Sequence, residues 1–186
     1  MKLSTEDTGV DIPLMTSGNH HAVLTSIIDY GTQESEWEGV KKTKRECRIG
    51  FTFPDDLFEF DEEVGPEPRV KSVFATLSAH PKSKIYNILT SITGKGLPEE
   101  IELTDYVGLN CLINFKHEKN KKDVLIDRMA SFSPLMKGQK KVKIEGTKVF
   151  DLDKFDVVVF QSLSEKEQAI IKRSPEFEAL ATKMPF

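Results

Sequence analysis

The sequence predicts an all-β protein with a minor helical part, in which five strands form a small barrel and a helical extension follows them. Several segments alternate apolar and polar side chains, which is typical of half-buried strands because successive side chains point to opposite faces. Residues 84–93 instead space their apolar side chains as a helix does. Prolines and glycines separate the segments, and 186 residues with 38% hydrophobic side chains suffice for a buried core.

Three strands are predicted before the helix. Residues 20–30 are rich in β-branched and aromatic side chains, which favour strands. Residues 43–53 alternate most clearly and end before Pro54, and residues 69–77 repeat the pattern. The stretch between the second and third strands, residues 55–68, is acidic and rich in proline, so we expect a solvated loop there rather than a calcium site.

The helix and two further strands complete the barrel. Ser83 is the predicted N-cap of a helix at residues 84–93, and Gly94 ends that helix. Residues 109–117 and 124–132 are the fourth and fifth strands, joined by a charged hairpin loop. Beyond them the pattern predicts a short strand, then a linker or docked segment, and a last helix with a frayed end; these lie at residues 140–144, 152–161 and 165–172, with Ser164 as the helix cap.

The order β-β-β-α-β-β is that of the OB-fold, a five-stranded, partly open Greek-key barrel. We therefore expect an OB-fold nucleic-acid-binding domain at residues 20–135. A flexible N-terminal arm at residues 1–19 precedes it, and a C-terminal extension with a short helix follows at residues 136–186.

Charge is segregated along the chain. The net charge of -4 counts against a polycation. However, the start of the second strand is the most basic part of the chain, whereas residues 55–67 contain seven carboxylates and no Lys or Arg. A ligand meets the local potential rather than the sum, so a cationic sheet face can form around the second strand.

Six stretches carry a resemblance to a known family: residues 27–33 (IIDYGTQ), 51–54 (FTFP), 106–111 (YVGLNC), 150–156 (FDLDKFD), 160–163 (FQSL) and 171–177 (IKRSPEF). Together they resemble bacteriophage replication-region proteins that have an OB-fold and bind single-stranded DNA. The resemblance implies a non-catalytic, largely sequence-independent single-stranded DNA-binding protein that acts in phage DNA replication or recombination. It also implies phage or host replication and recombination proteins as further partners, and it allows a homo-oligomer.

An OB-fold takes its ligand across strands two and three, between the loops that join strands one to two and four to five. Single-strand binding needs a cationic groove for the phosphates and flat side chains on which bases stack. The candidate nucleic-acid-binding residues are Trp37, Lys41, Lys42, Lys44, Arg45, Arg48, Lys71, Phe74, Lys116, Lys119, Lys121, Lys122 and Arg128. For the hairpin lysines among them, simple solvation of a turn is the alternative.

The aromatic candidates differ in what their positions indicate. Trp37 lies among polar residues in the predicted loop at residues 32–40, between strands one and two, so it is either a platform for a base or a lid on the end of the barrel. Phe74 is opposite in register to its apolar neighbours and can face outward or inward, and Tyr30 is a weaker candidate. The remaining strand phenylalanines share the register of apolar neighbours, so we expect Phe51, Phe53 and Phe115 in the core.

Other function classes find little support in the sequence. There is no phosphate-binding loop, nucleophile elbow or zinc-ligand spacing, so we expect no enzyme, no catalytic residue, no cofactor and no metal. Cys47 and Cys111 are expected as buried, reduced thiols, which indicates the cytoplasm, or the host cytoplasm for a phage protein. No apolar run is long enough to span a bilayer, so no membrane partner is expected.

Two alternatives remain open. The first is an OB-barrel adaptor that binds a replication or recombination enzyme, which the acidic composition favours. The second is a nuclease, which needs a metal-binding cluster of carboxylates on rigid strands. The strand-end acids that it could use are Asp29, Asp123 and Asp127.

Overall fold

The computed structural model describes residues 12–183 and is mostly β, with 43% strands and 22% helices. The strands are β1 (Gly18–Trp37), β2 (Val40–Glu59), β3 (Pro66–Thr76), β4 (Asn110–Lys119), β5 (Leu125–Pro134) and β6 (Lys148–Phe150). The helices are α1 (Lys84–Thr93), α2 (Val157–Gln161), α3 (Glu165–Ile171) and α4 (Pro175–Lys183), with 3-10 turns at Leu103–Tyr106 and Leu152–Lys154. The prediction of a mostly β fold with minor helical content is confirmed.

The strands form one sheet in the order β3-β2-β1-β4-β5. Neighbours along this path are antiparallel, and β6 joins β1 in parallel through Ile27 and Val149. The sheet is not closed, so β3 and β5 are its two edges. The single helix between β3 and β4 is α1, as the sequence predicts.

Side chains bridge the two edges where backbone hydrogen bonds do not. Lys71 Nζ on β3 lies 2.8 Å from Asp127 Oδ2 on β5. The backbone N–H of Met15 donates to the same carboxylate at 2.7 Å, and the Met15 side chain is fully buried. The end of the predicted N-terminal arm thus packs against the open side of the sheet, whereas residues 1–11 lie outside the described residues.

Two hydrophobic clusters lie on opposite faces of β1. The first joins one face of the five strands to α1 and includes Ile27, Cys47, Phe51, Phe53 and Phe115. The core positions predicted for the three phenylalanines are confirmed, because each is at most 1% exposed. Cys47 and Cys111 are buried free thiols, and burial raises the pKa of each to about 12.

The second cluster attaches the C-terminal extension to the same chain's sheet. Its members are Ile28, Tyr30, Phe150, Leu152, Phe160, Leu163 and Ile171. Ser164 caps α3 in a full capping box with Glu167, as the sequence predicts. The short strand lies at Lys148–Phe150 and not at residues 140–144, because only the later segment reaches a free stretch of β1.

The prediction of an acidic loop over residues 55–68 is wrong at both ends. β2 continues to Glu59 and β3 begins at Pro66, so only six residues connect them. The register between β2 and β3 shifts between Phe53 and Leu57, and Pro54 lies within that irregularity. A bulge tolerates a proline that cannot donate to the ladder, so Pro54 does not end the strand.

Gly31 lies where the sheet and the extension approach most closely. Its φ is +70°, and a Cβ there would lie 2.6 Å from Ser174 Cβ and 2.7 Å from Leu152 Cδ2. A non-glycine residue in this backbone region costs about 1–3 kcal/mol, and the contact adds to that cost. We expect Gly31→Ala to lower the free energy of unfolding by more than about 2 kcal/mol in urea denaturation.

Gly39→Ala is the matched control for that substitution. Gly39 has a φ of +77°, but a Cβ there would meet nothing within 4 Å. Gly39→Ala should therefore lower the free energy of unfolding only by the cost of the positive φ. Equal losses for the two variants would mean that the close approach of the extension to Gly31 does not contribute.

Candidate nucleic-acid interface

Register on β2 and β3 decides which predicted residues share a surface. Cys47 and Ile49 are buried in the first cluster, so the alternate side chains of β2 point to the other face. Arg48 on that face is opposite Phe74 of β3, because directly paired residues project to the same side. Phe74 is 60% exposed, which decides the alternative left open by the sequence in favour of the outward position.

Tyr30 supports the Phe74 ring from beneath. The two ring centroids are 6.2 Å apart, and the ring planes are inclined by only 29°. Tyr30 is 2% exposed, and burial together with the Glu167 carboxylate raises its pKa to about 12. Tyr30 is thus a buried support, and Phe74 is the ring that a ligand can reach.

Phe74 lies in an open groove of about 550 Å³ flanked by basic side chains. The residues that line it are Lys44, Glu46, Phe74, Ala75, Thr76, Ser78, His80, Lys82, Ser83 and Lys84. Lys84 Nζ donates to the Phe74 carbonyl oxygen at 3.2 Å. Partial burial and then the charge of Arg128 lower the pKa of Lys84. We call this surface the Phe74 groove.

Sequence reasoning missed three members of the groove. His80, Lys82 and Lys84 follow β3 in the segment that leads into α1. The available signal was the local composition, since three of five residues from 80 to 84 carry basic side chains. The chain returns here beside β3, which brings Lys82 and Lys84 to the same groove as Lys44.

The two strand-two arginines are held by carboxylates rather than presented to solvent. Arg48 Nη2 lies 2.6 Å from Glu167 Oε1, and both side chains are mostly buried. Burial alone would raise the pKa of Glu167, but hydrogen bonds from Ser164 and the charge of Arg48 hold that pKa below its usual range. Glu167 belongs to α3, so Arg48 fastens the extension to the sheet.

Arg45 is held in a similar way at the other side of β2. It forms an ion pair with the buried carboxylate of Asp29 and another, at 2.9 Å, with Asp153. The Asp29 hydrogen bond raises the pKa of Arg45 above its ordinary value. A phosphate would have to compete with these carboxylates for Arg45, which removes most of its value as a free cation.

Three more predicted cations have carboxylate partners. Lys71 bridges the sheet edges through its ion pair with Asp127. Burial alone would raise the pKa of Asp127, but the hydrogen bond from Lys71 lowers it. Lys119 lies 2.8 Å from Asp123, and Arg128 Nη1 lies 3.0 Å from Glu118. These last two pairs are exposed and therefore weak, so they would exchange readily with a phosphate.

The remaining predicted lysines fall into two separate groups. Among the described residues, no ion pair is formed by Lys41, Lys42, Lys44, Lys116, Lys121 and Lys122. Lys44 is paired with Gln33 near the end of β1, whereas Phe115 at the start of the β4–β5 hairpin is paired with Gly18. These points lie fifteen residues apart along β1.

The hairpin end of β1 and β2 is mixed in charge. Lys41 is directly opposite Glu36, whereas Lys42 is opposite Ser35 on the face that also carries Lys44. The prediction of a loop at residues 32–40 is wrong, because β1 continues to Trp37, which pairs with Val40 at the start of β2. The Trp37 side chain lies outside what the structure describes. The strongest cationic surface therefore continues from the Phe74 groove to Lys42.

The acids nominated for a nuclease are dispersed and paired. Asp29 binds Arg45, Asp123 binds Lys119 and Asp127 binds Lys71. Within residues 12–183 no group of three or more His, Cys, Asp or Glu side chains could hold a metal ion. The described residues thus offer no cluster of carboxylates for metal-dependent cleavage.

The comparisons with protein families and with curated proteins give no indication of function. No protein-family model matches the sequence, and a search of curated proteins finds no match. None of the helices between residues 12 and 183 is long and apolar enough to cross a membrane. The resemblance to phage single-strand binders accordingly stays an expectation.

Proposed function

We propose that the protein binds single-stranded DNA without catalysing a reaction and largely without sequence preference. The observation that carries the proposal is the Phe74 groove, an exposed aromatic ring on a rigid strand, supported by Tyr30 and flanked by Lys44, Lys82 and Lys84. An aromatic face stacks on any base, and lysines neutralise the phosphates on either side of it. Action in phage DNA replication or recombination is part of the same proposal.

The arrangement of strands supports an OB-type architecture for this function. The order β3-β2-β1-β4-β5, with one helix between β3 and β4, is that of a five-stranded barrel opened between its third and fifth strands. The Phe74 groove lies on the outer face of β2 and β3, the surface on which OB-folds bind oligonucleotides.

Binding to labelled oligonucleotides at several salt concentrations tests the proposal. We expect affinity for single-stranded DNA to exceed that for duplex DNA. The logarithm of the association constant should fall linearly with the logarithm of salt concentration, because bound counterions are released. The absence of binding at low salt, or an affinity independent of salt, would contradict the proposal, and a parallel RNA series measures the preference for sugar.

Phe74→Ala should weaken single-strand binding by about 1–3 kcal/mol, the usual contribution of one stacked base. The salt slope should stay unchanged, because no cation is removed. Val70→Ala is the control, since Val70 is 54% exposed on the same face of the same strand. Fluorescence anisotropy measures both variants, and an unchanged affinity for Phe74→Ala would remove this ring from the site.

An OB-barrel adaptor for a replication or recombination enzyme is the second candidate. Exposed apolar side chains at Leu57, Phe60 and Val64 favour it, because exposed apolar patches commonly mark protein contacts. An adaptor would bind its enzyme without affinity for oligonucleotides. The salt series therefore separates the two functions.

A further inference from the structure

The connection between β2 and β3 combines exposed apolar side chains with dense negative charge. Leu57 is 56% exposed, Val64 is 64% exposed and Phe60 is 39% exposed, with Phe58 in edge contact with Phe60. Residues 55–67 also carry the carboxylates of Asp55, Asp56, Glu59, Asp61, Glu62, Glu63 and Glu67, and no Lys or Arg. We call residues 55–67 the acidic tip.

Few of these carboxylates are neutralised within the described part of the chain. His20 lies 2.8 Å from Asp56, and His21 lies 3.5 Å from Asp55. The other five acids form no ion pair with any residue from 12 to 183. The acidic tip therefore presents apolar contacts inside a negative field.

The acidic tip is held away from the Phe74 groove of its own chain. Strand pairing continues to Glu59 and Pro66, and Asp61 organises the turn by accepting from the Glu63 N–H at 2.8 Å. The base of the tip contacts the start of β1 through His20 and His21, whereas Arg48, which is opposite Phe74, pairs with Ile28 farther along β1. The tip and the groove therefore lie toward opposite ends of β2.

We propose that the acidic tip of one copy docks into the Phe74 groove of a second copy and competes there with nucleic acid. The groove offers the complementary chemistry, with Phe74 for apolar contact and Lys44, Lys82 and Lys84 for the carboxylates. Carboxylates spaced along a strand meet these lysines as phosphates would. The competition rests on the proposed function, whereas the contact between copies does not.

The geometry of this contact predicts open-ended oligomers rather than closed dimers. The tip and the groove are different surfaces of one molecule, so the contact is heterologous and each bound copy leaves one tip and one groove free. Exposed ion pairs contribute little to stability, so the association is weak and is screened by salt. Single-stranded DNA would dissociate these oligomers by occupying the Phe74 grooves.

Charge exchange between two variants tests the contact by sedimentation velocity. The tip variant is Glu62→Lys/Glu63→Lys, and the groove variant is Lys44→Glu/Lys82→Glu; all four side chains are exposed. We expect the wild type to associate with rising concentration at about 0.02 M salt and to be monomeric at about 0.5 M salt. Each variant alone should associate far less than the wild type at low salt. The groove variant places two acids opposite the acidic tip, and the tip variant removes four of the seven units of negative charge at the tip.

The mixture of the two variants is the decisive sample. It should associate into pairs at low salt, because the groove variant keeps the wild-type tip and the tip variant keeps the wild-type groove. A monomeric wild type at every concentration would overturn the proposal and leave the tip to a different protein, and a monomeric mixture would overturn the tip-to-groove assignment. Circular dichroism spectra check that both variants are folded.

An oligonucleotide arm separates this proposal from the proposed function. Added single-stranded oligothymidine should return wild-type chains to monomers that carry DNA. Oligomers that persist while the oligonucleotide stays unbound would refute DNA binding but not the contact between copies. Oligomers that persist with DNA bound would show that the DNA binds outside the Phe74 groove. That result would overturn the proposed competition between the tip and DNA.

Discussion

The Lys44→Glu/Lys82→Glu double variant should lose about a hundredfold in affinity for single-stranded DNA at low salt. On a single strand, each neutralised phosphate contributes about 0.7 to the slope of log affinity against log salt, so two lost contacts should reduce that slope by about 1.4. Both side chains are exposed and line the Phe74 groove. Neither forms an ion pair with any described residue, so the fold should persist. Anisotropy titrations over a salt series give both quantities.

The β4–β5 hairpin supplies a control of equal charge. Lys121→Glu/Lys122→Glu changes two exposed lysines in the turn that joins β4 to β5. A smaller loss there would restrict the interface to the groove, and an equal loss would extend it along the sheet. A loss in the hairpin variant alone would contradict the assignment of the site to the Phe74 groove.

Asp29→Ala should lower the free energy of unfolding by about 3 kcal/mol, the typical result of breaking a buried ion pair. The Asp29 carboxylate is 5% exposed and accepts from Arg45, from the Gly31 N–H at 2.9 Å and from the Leu152 N–H at 3.4 Å. Its removal leaves the Gly31 and Leu152 N–H groups without this acceptor and leaves Arg45 with the exposed Asp153 carboxylate. Urea denaturation measures the loss.

Asp153→Ala is the comparison for that substitution. Asp153 pairs with the same Arg45 guanidinium, but its side chain is 65% exposed. An exposed pair contributes about 0–1 kcal/mol, so the expected loss is small. Equal losses at the two positions would contradict the assignment of Asp29 as the buried anchor of this network.

Local patterns in the sequence predict most of the fold because they report local forces. Alternation over residues 43–53 follows from burial of one face of β2, and the caps at Ser83 and Ser164 follow from hydrogen bonds within one helical turn. The hairpin beyond Pro54 could not be predicted, because its strands are held by each other across a bulge. The openness of the sheet depends on strand pairing, which no local pattern specifies.

The candidate site likewise combines positions that local patterns predict with contacts that they do not predict. The alternation of β2 is enough to place Lys44 on the outer face, whereas the position of Phe74 follows only from its pairing with Arg48. The partner of Arg48 could not be predicted, since Glu167 lies 119 positions away on the helix of an extension with weak sequence signals. Long-range carboxylates thus convert predicted phosphate contacts into structural ion pairs.

β1 contributes adjacent residues to both hydrophobic clusters, with Ile27 in the first and Ile28 in the second. The extension therefore cannot detach as a separate folding unit, because its removal would leave Ile28 and Tyr30 of the central strand facing water. Melting should then proceed as one all-or-none transition of sheet and extension together. A substitution anywhere along this shared strand would change the stability of both halves at once.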